Sequence, residues 1–211
     1  MNTAFDGLSQ VFHDNKAIGT AIAPAPDRRA RQRLRTVYRV ARIAARGDEG
    51  LARVHNISDG GLMLSMSLDL CLGDTVRVDL SDTCPLTGTV VWRDNGRCGI
   101  KLNQNINSAA VLKRLFEERR AGDLRPLRIV HDKALIVTCP SGLQVVRLRD
   151  ISQAGMKVAH DGGFTPGLPV KIKLSAEVER RGVVRWSRDF LAGIALTEML
   201  SVEELGSMRA I

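Results

Sequence analysis

The sequence predicts an all-β fold with minor α content: two small antiparallel modules in tandem, each a barrel or sandwich followed by a C-terminal helix. Three observations carry this expectation. The segment Asn56-Ile57-Ser58-Asp59-Gly60-Gly61 recurs as Asp150-Ile151-Ser152-Gln153-Ala154-Gly155, ninety-four positions later. Short runs that alternate apolar and polar residues, separated by Gly, Asn and Asp turns, fill both halves. A helical spacing of apolar residues follows each set of runs.

The repeat extends well beyond the motif. At the same offset Gly73 meets Gly167, Val76 meets Val170, Trp92 meets Trp186 and Gly99-Ile100 meets Gly193-Ile194. Residues 56–102 share thirteen identities in forty-seven ungapped positions with their counterparts, where ordinary residue frequencies give about three. A chain of 211 residues is thus expected to form two modules, at 28–121 and 122–211, each with a small core. Residues 1–27, ending in Pro24-Ala25-Pro26, read as a flexible arm, with no basic head and apolar core of a secretory signal.

In chain order, Val37 to Ala45 supplies an opening strand, Leu62 to Met66 follows the double glycine, and Thr75 to Leu80 alternates as a half-buried strand should. Thr87 to Trp92 and Cys98 to Leu102 form a hairpin across Arg93-Asp94-Asn95-Gly96. A helix is expected over 108–120, with Ser108 as its cap and Gly122 closing it. The second module repeats the series at Leu135 to Val137, Val145 to Leu148, Met156 to Ala159, Val170 to Leu174, Gly182 to Trp186 and Ala192 to Leu196. It ends in a helix over Ser201 to Met208, with Ser201 and Glu204 as a capping box. Trp92 and Trp186, at one place in an alternating strand, are expected in the core or between modules.

No run of apolar residues reaches the roughly 18 that a membrane span needs. Cys71, Cys84, Cys98 and Cys139 lack CxxC spacing and the four His are scattered, so reduced thiols, no metal site and a cytoplasmic setting are expected. No Ser/His/Asp set, carboxylate pair or phosphate loop appears at a mechanistic spacing, which speaks against an enzyme.

The net charge of +8 has one source. Eight Arg and no Asp, Glu or Lys lie between Arg28 and Arg46; outside that block the chain holds 23 basic and 23 acidic residues. Arg rather than Lys favours forked contact with phosphate and stacking on a base.

An Arg-xxx-Arg element, followed some twenty residues later by (Asp/Asn)-x-Ser-xx-Gly, resembles the PilZ domain family. The first copy offers Arg31 and Arg35, then Asn56, Ser58 and Gly61; Arg35 with Arg39 is an alternative register. The resemblance covers about residues 28 to 205 and implies two small six-stranded antiparallel β-barrels, each with a C-terminal helix. It also implies a ligand, cyclic di-GMP, with Arg31 and Arg35 as the clamp and Asn56, Ser58 and Gly61 as the barrel-side platform. The chemistry suits that ligand: guanidinium forks match phosphates and the guanine O6/N7 edge. Amide and hydroxyl groups match base edges.

The second copy keeps Asp150, Ser152 and Gly155, but the ungapped register sets Arg125 against Arg31 and Ile129 against Arg35, with Arg128 one position off. Pro126 stiffens that segment. A second site of Arg125, Arg128, Asp150, Ser152 and Gly155 is therefore expected to bind poorly by itself, leaving a structural or docking module. Three functions stand open. One is a cyclic di-GMP receptor that changes shape or partner binding, in motility, exopolysaccharide or biofilm control. The second is an interaction module for an unidentified protein partner that binds no nucleotide. The third is non-specific nucleic-acid binding through the Arg-rich arm; specific nucleic-acid binding is not expected, since exposed aromatics are few.

Overall fold

The structure, a computed structural model, describes residues 34–122 and 125–211, with side chains from Arg39 onward in the first strand. The arm read over 1–27 and the position of Arg31 lie outside the described residues. The first module comprises β1 (Leu34–Ala45), β2 (Asp48–Ser58), β3 (Gly61–Met66), β4 (Thr75–Asp79), β5 (Pro85–Asp94) and β6 (Arg97–Leu102), followed by α1 (Ser108–Arg120). The second comprises β7 (Ile129–Cys139), β8 (Gly142–Ser152), β9 (Gly155–Ala159), β10 (Pro169–Lys173), β11 (Glu179–Arg188) and β12 (Leu191–Leu196).

Each set closes into a six-stranded antiparallel barrel, in the order β1-β2-β3-β6-β5-β4 and its counterpart β7-β8-β9-β12-β11-β10. Closure needs β4 to return to β1, which it does through Arg42↔Asp79 and Ile43↔Val78. Closure also leaves no continuous sheet edge along the barrel wall. Alternation then decides burial: Ala41, Ile43, Val76, Val78 and Val90 point inward in the first barrel, and Leu135, Val137, Val170, Ile172 and Val184 do so in the second.

The expected hairpin between β5 and β6 turns on Asn95 and Gly96, both at positive φ (44° and 72°), the signs that a type I′ turn requires. The second barrel makes the same turn with Asp189 and Phe190, at φ 51° and 59°. Gly122 (φ 76°) ends α1 as expected, its N–H donating to Arg119 O at 3.3 Å. The cap at the other end is Asn107 rather than Ser108: Asn107 Oδ1 accepts from Ala110 N–H at 2.9 Å.

Two further expectations need correction. The residues after β12 form turns, not a second helix, so α1 is the one helix among the described residues. The capping box is present, with Glu204 N–H donating to Ser201 Oγ at 3.0 Å and Ser201 N–H to Glu204 Oε2 at 2.8 Å. It stops after one turn because Gly206 disfavours helix and the next backbone groups are claimed by the first barrel. Leu51 N–H donates to Leu205 O at 2.7 Å and Met208 N–H donates to Glu49 O at 2.8 Å. Leu51 is buried in the second barrel's hydrophobic core, and Val40 packs against it. Arg53 grips Glu203 through both carboxylate oxygens at 2.9 and 3.1 Å.

The tryptophans lie on the outer faces, 40% and 37% exposed. A β-bulge between Val90 and Trp92, repeated between Val184 and Trp186, breaks the alternation and turns each indole outward. Each indole then lies across the strand on a glycine. A Cβ at Gly99 would come within 1.9 Å of Trp92 Nε1, and one at Gly193 within 2.1 Å of Trp186 Nε1.

Candidate functional site

The Asn-x-Ser-xx-Gly motif occupies the end of β2, a two-residue turn and the start of β3. A bulge between Val54 and Asn56 precedes the motif, and the second copy has the same bulge between Leu148 and Asp150. One extra residue there, His55 or Arg149, re-aims the first motif side chain at the barrel rim. The turn is then pinned from several sides. Ser58 Oγ donates to Gly61 O at 3.2 Å, and Asp59 Oδ1 accepts from both Ser108 N–H (3.0 Å) and Ser108 Oγ–H (2.6 Å). Ile106 N–H donates to Asp59 O and Leu102 N–H to Gly60 O. Ser108 therefore ties the start of α1 to the motif turn. A Cβ at Gly61 would meet Ile100 O at 2.6 Å, so only glycine lets β3 and β6 approach here.

Of the two arginines expected to form a clamp, Arg35 is described by its backbone. It is the register partner of Asn56 across the β1–β2 ladder. Arg39, the alternative, lies beyond a bulge and pairs with Val54. Its guanidinium is half-buried and donates to Leu80 O at 3.4 Å, with burial holding its pKa below the usual value. Arg42 binds Asp79 and Arg46 reaches Cys71 at 3.0 Å. Three arginines of the basic block are thus engaged within the barrels.

The second copy is built from the same parts. Asp150 and Ser152 are buried, and Ser152 Oγ donates to Gly155 O at 3.0 Å. Arg128 Nη1 donates to Asp150 Oδ1, and Lys157 Nζ lies 2.9 Å from Asp150 Oδ2. Both oxygens of that carboxylate are therefore matched by cations of the protein. A cleft of about 210 Å³ opens here, lined by Pro126, Arg128, Ser152, Gly155, Lys157 and Trp186 among others. Arg125 is exposed and is not among the residues lining the cleft.

Strand pairing revises the alignment of the two arginine segments. Ile129 pairs with Ile151 as Leu34 pairs with Ile57, so Ile129 stands in the place of Leu34 and Val130 in that of Arg35. The bulge in β7 holds one residue fewer than that in β1, which absorbs the shift. Arg128 precedes Ile129 as Arg33 precedes Leu34. Sequence reasoning missed Lys157 and the outward Trp186. Their signal was the bulge, which no motif announces.

The fold is similar to that of several solved structures at low identity. A Borreliella burgdorferi PlzA protein in complex with c-di-GMP is 12% identical, with 80% of this chain and 89% of that one covered and a TM-score of 0.36. K. pneumonia MrkH in its c-di-GMP complex is 13% identical (77% and 78% covered, TM-score 0.28). YcgR from Escherichia coli in complex with c-di-GMP is 12% identical (78% and 76% covered, TM-score 0.27). Among curated proteins none is similar in sequence. The PilZ domain model matches residues 27–118 and again residues 125–210, and the chain belongs to the PilZ domain family.

Proposed function

We propose that the chain is a non-enzymatic receptor for cyclic di-GMP, which the first barrel binds and whose capture alters the chain's shape or its hold on a protein partner. The observation that carries this reading is the register pairing of Arg35 with Asn56 beside the pinned Ser58–Gly61 turn. The backbone of Arg35 is thereby paired with the residue that carries the amide, two positions before the hydroxyl of Ser58. Phosphate and guanine recognition call for these groups together. Arg31 precedes them on the same segment and completes the clamp, with Arg33 as the residue equivalent to Arg128.

In the second barrel the Asp150 carboxylate is already matched by Arg128 and Lys157. A nucleotide phosphate would have to compete with that carboxylate for Arg128, so this barrel binds more weakly or serves docking. Cytoplasmic signalling in motility, exopolysaccharide or biofilm control is the setting this reading fits. The amide NMR spectrum of the intact protein tests it. Cyclic di-GMP is expected to shift Asn56–Gly61 at a lower concentration than Asp150–Gly155. Shifts confined to the second set would refute the assignment of the first barrel.

A further inference from the structure

In the first barrel, β2 runs past its ladder with β3, whose last pair is Ala52↔Met66. The overhanging edge is covered by the chain's own C-terminal segment, through Leu51 N–H to Leu205 O, Met208 N–H to Glu49 O and the Arg53–Glu203 pair. The ninety-four-residue offset carries this edge onto β8, where Glu49, Leu51 and Arg53 become Leu143, Val145 and Arg147. There the ladder with β9 ends at Arg147↔Ala159, so residues 142–146 overhang in the same way.

Among the described residues no backbone hydrogen bond from another segment reaches this second edge, and the turn at Gly163 meets only the side chain of Gln144. Leu143 is 74% exposed and Val145 68%, and Ile136, the register partner of Val145, is 51% exposed. An unpaired strand edge lined by large apolar side chains is a template for strand addition. We propose that the β8 edge over residues 142–146 docks an extended, acidic and apolar segment of a partner protein by strand addition.

The first barrel supplies the chemistry of the occupant. Its covering segment places an acid, Glu203, on Arg53 and an apolar residue, Leu205, two positions later beside Leu51. Arg147, the counterpart of Arg53, shares the single carboxylate of Asp132 with Arg149. Lys173 is the register partner of Ile136 on the other flank, beside Lys171, the partner of Thr138, which is paired with Glu179 at 2.8 Å. An acidic segment complements that rim, whereas a second copy paired edge to edge would set two such rims together.

Gln144 replaces Gly50. At Gly50 a Cβ would lie 2.0 Å from Gly206 O, so the chain's own segment crosses directly over that glycine. Gln144 blocks the crossing, and the occupant must run alongside β8 in the plane of the sheet.

The probe is a fluorescein-labelled peptide of residues 200–211 of this chain, added to the full-length protein, whose own segment already occupies the first barrel. Saturable binding is expected, with amide shifts at Leu143–Val146. Val145→Asp and, separately, Leu143→Asp should weaken it at least about tenfold, with far-UV circular dichroism unchanged. A peptide with Glu203→Lys should bind several-fold more weakly. No saturation by about 1 mM, the weak end of specific recognition, would overturn the proposal. So would shifts at Glu49–Leu51 instead, which mean displacement of the intramolecular segment. Self-association in sedimentation, or binding to phosphatidylglycerol vesicles, that Val145→Asp abolishes would overturn it in favour of a second copy or a bilayer.

Discussion

Arg42 in the first barrel donates Nη1–H to the carbonyl oxygen of Arg128 in the second, at 2.6 Å, while its Nε and Nη2 hold Asp79 at 3.0 and 2.7 Å. The side chain of Arg128 in turn holds Asp150. One guanidinium thus connects a buried carboxylate of the first barrel to the main chain of the residue that holds Asp150. Any movement of the Arg128 main chain must be accommodated by Arg42.

Arg42→Ala is expected to destabilise the protein by about 2–4 kcal/mol, because Asp79 is buried and, among the described residues, keeps only Arg77 as a charged partner. Urea unfolding followed by circular dichroism measures it. The variant should also show faster amide exchange in the segment preceding β7.

An added Cβ at Gly50 would sit 2.0 Å from Gly206 O of the C-terminal segment and 2.7 Å from Leu68 Cδ1 of the first barrel's own core. Gly50→Val should therefore lift the C-terminal segment off the β2 edge and, because Leu205 and Met208 belong to the second barrel's core, loosen that core as well. Hydrogen exchange at Leu51 N–H is the direct readout, with loss of at least about tenfold of its protection, as local opening would give.

Glu203 is held well below the usual carboxylate range, at about 2, chiefly by hydrogen bonding to Arg53 and also by a backbone hydrogen bond. A depressed carboxylate contributes stability that is fully present above its unfolded value, near 4.5, and is lost as pH falls through its folded value. The hold of the C-terminal segment should therefore weaken between about pH 4.5 and 2. Since Glu203 is largely exposed, the effect is modest. Glu203→Gln removes that pH dependence, and exchange at Leu51 again reports it.

Phe190 sits at φ 59° in a position the first barrel fills with Gly96, and its ring is 70% exposed. Phe190→Gly should stabilise the second barrel by about 1 kcal/mol by relieving left-handed strain. Thermal unfolding should shift upward by a few degrees.

Much of the architecture was legible because it depends on local pattern. The offset between Ile57-Ser58 and Ile151-Ser152 gave two modules, and Asn95-Gly96 gave its hairpin. What failed did so for tertiary reasons. The alternation at Val90 and Trp92 was real, but a bulge that no residue type announces turned the indole outward. The Ser201–Glu204 box was read correctly, yet the helix it begins is ended by Gly206 and by the β2 edge, a partner some 150 residues away in sequence. At the site, the turn chemistry of Ser58 and Gly61 was visible. The buttress between Asp59 and Ser108 was not, since Ser108 reads equally well as a helix cap.

Calorimetric titration of the intact protein with cyclic di-GMP, repeated for Arg35→Ala and Arg128→Ala, tests the central claim most directly. The account predicts saturable binding that Arg35→Ala weakens at least about tenfold and Arg128→Ala changes far less. Absence of binding heat at tens of micromolar protein, or equal affinity for the Arg35→Ala variant, would contradict it.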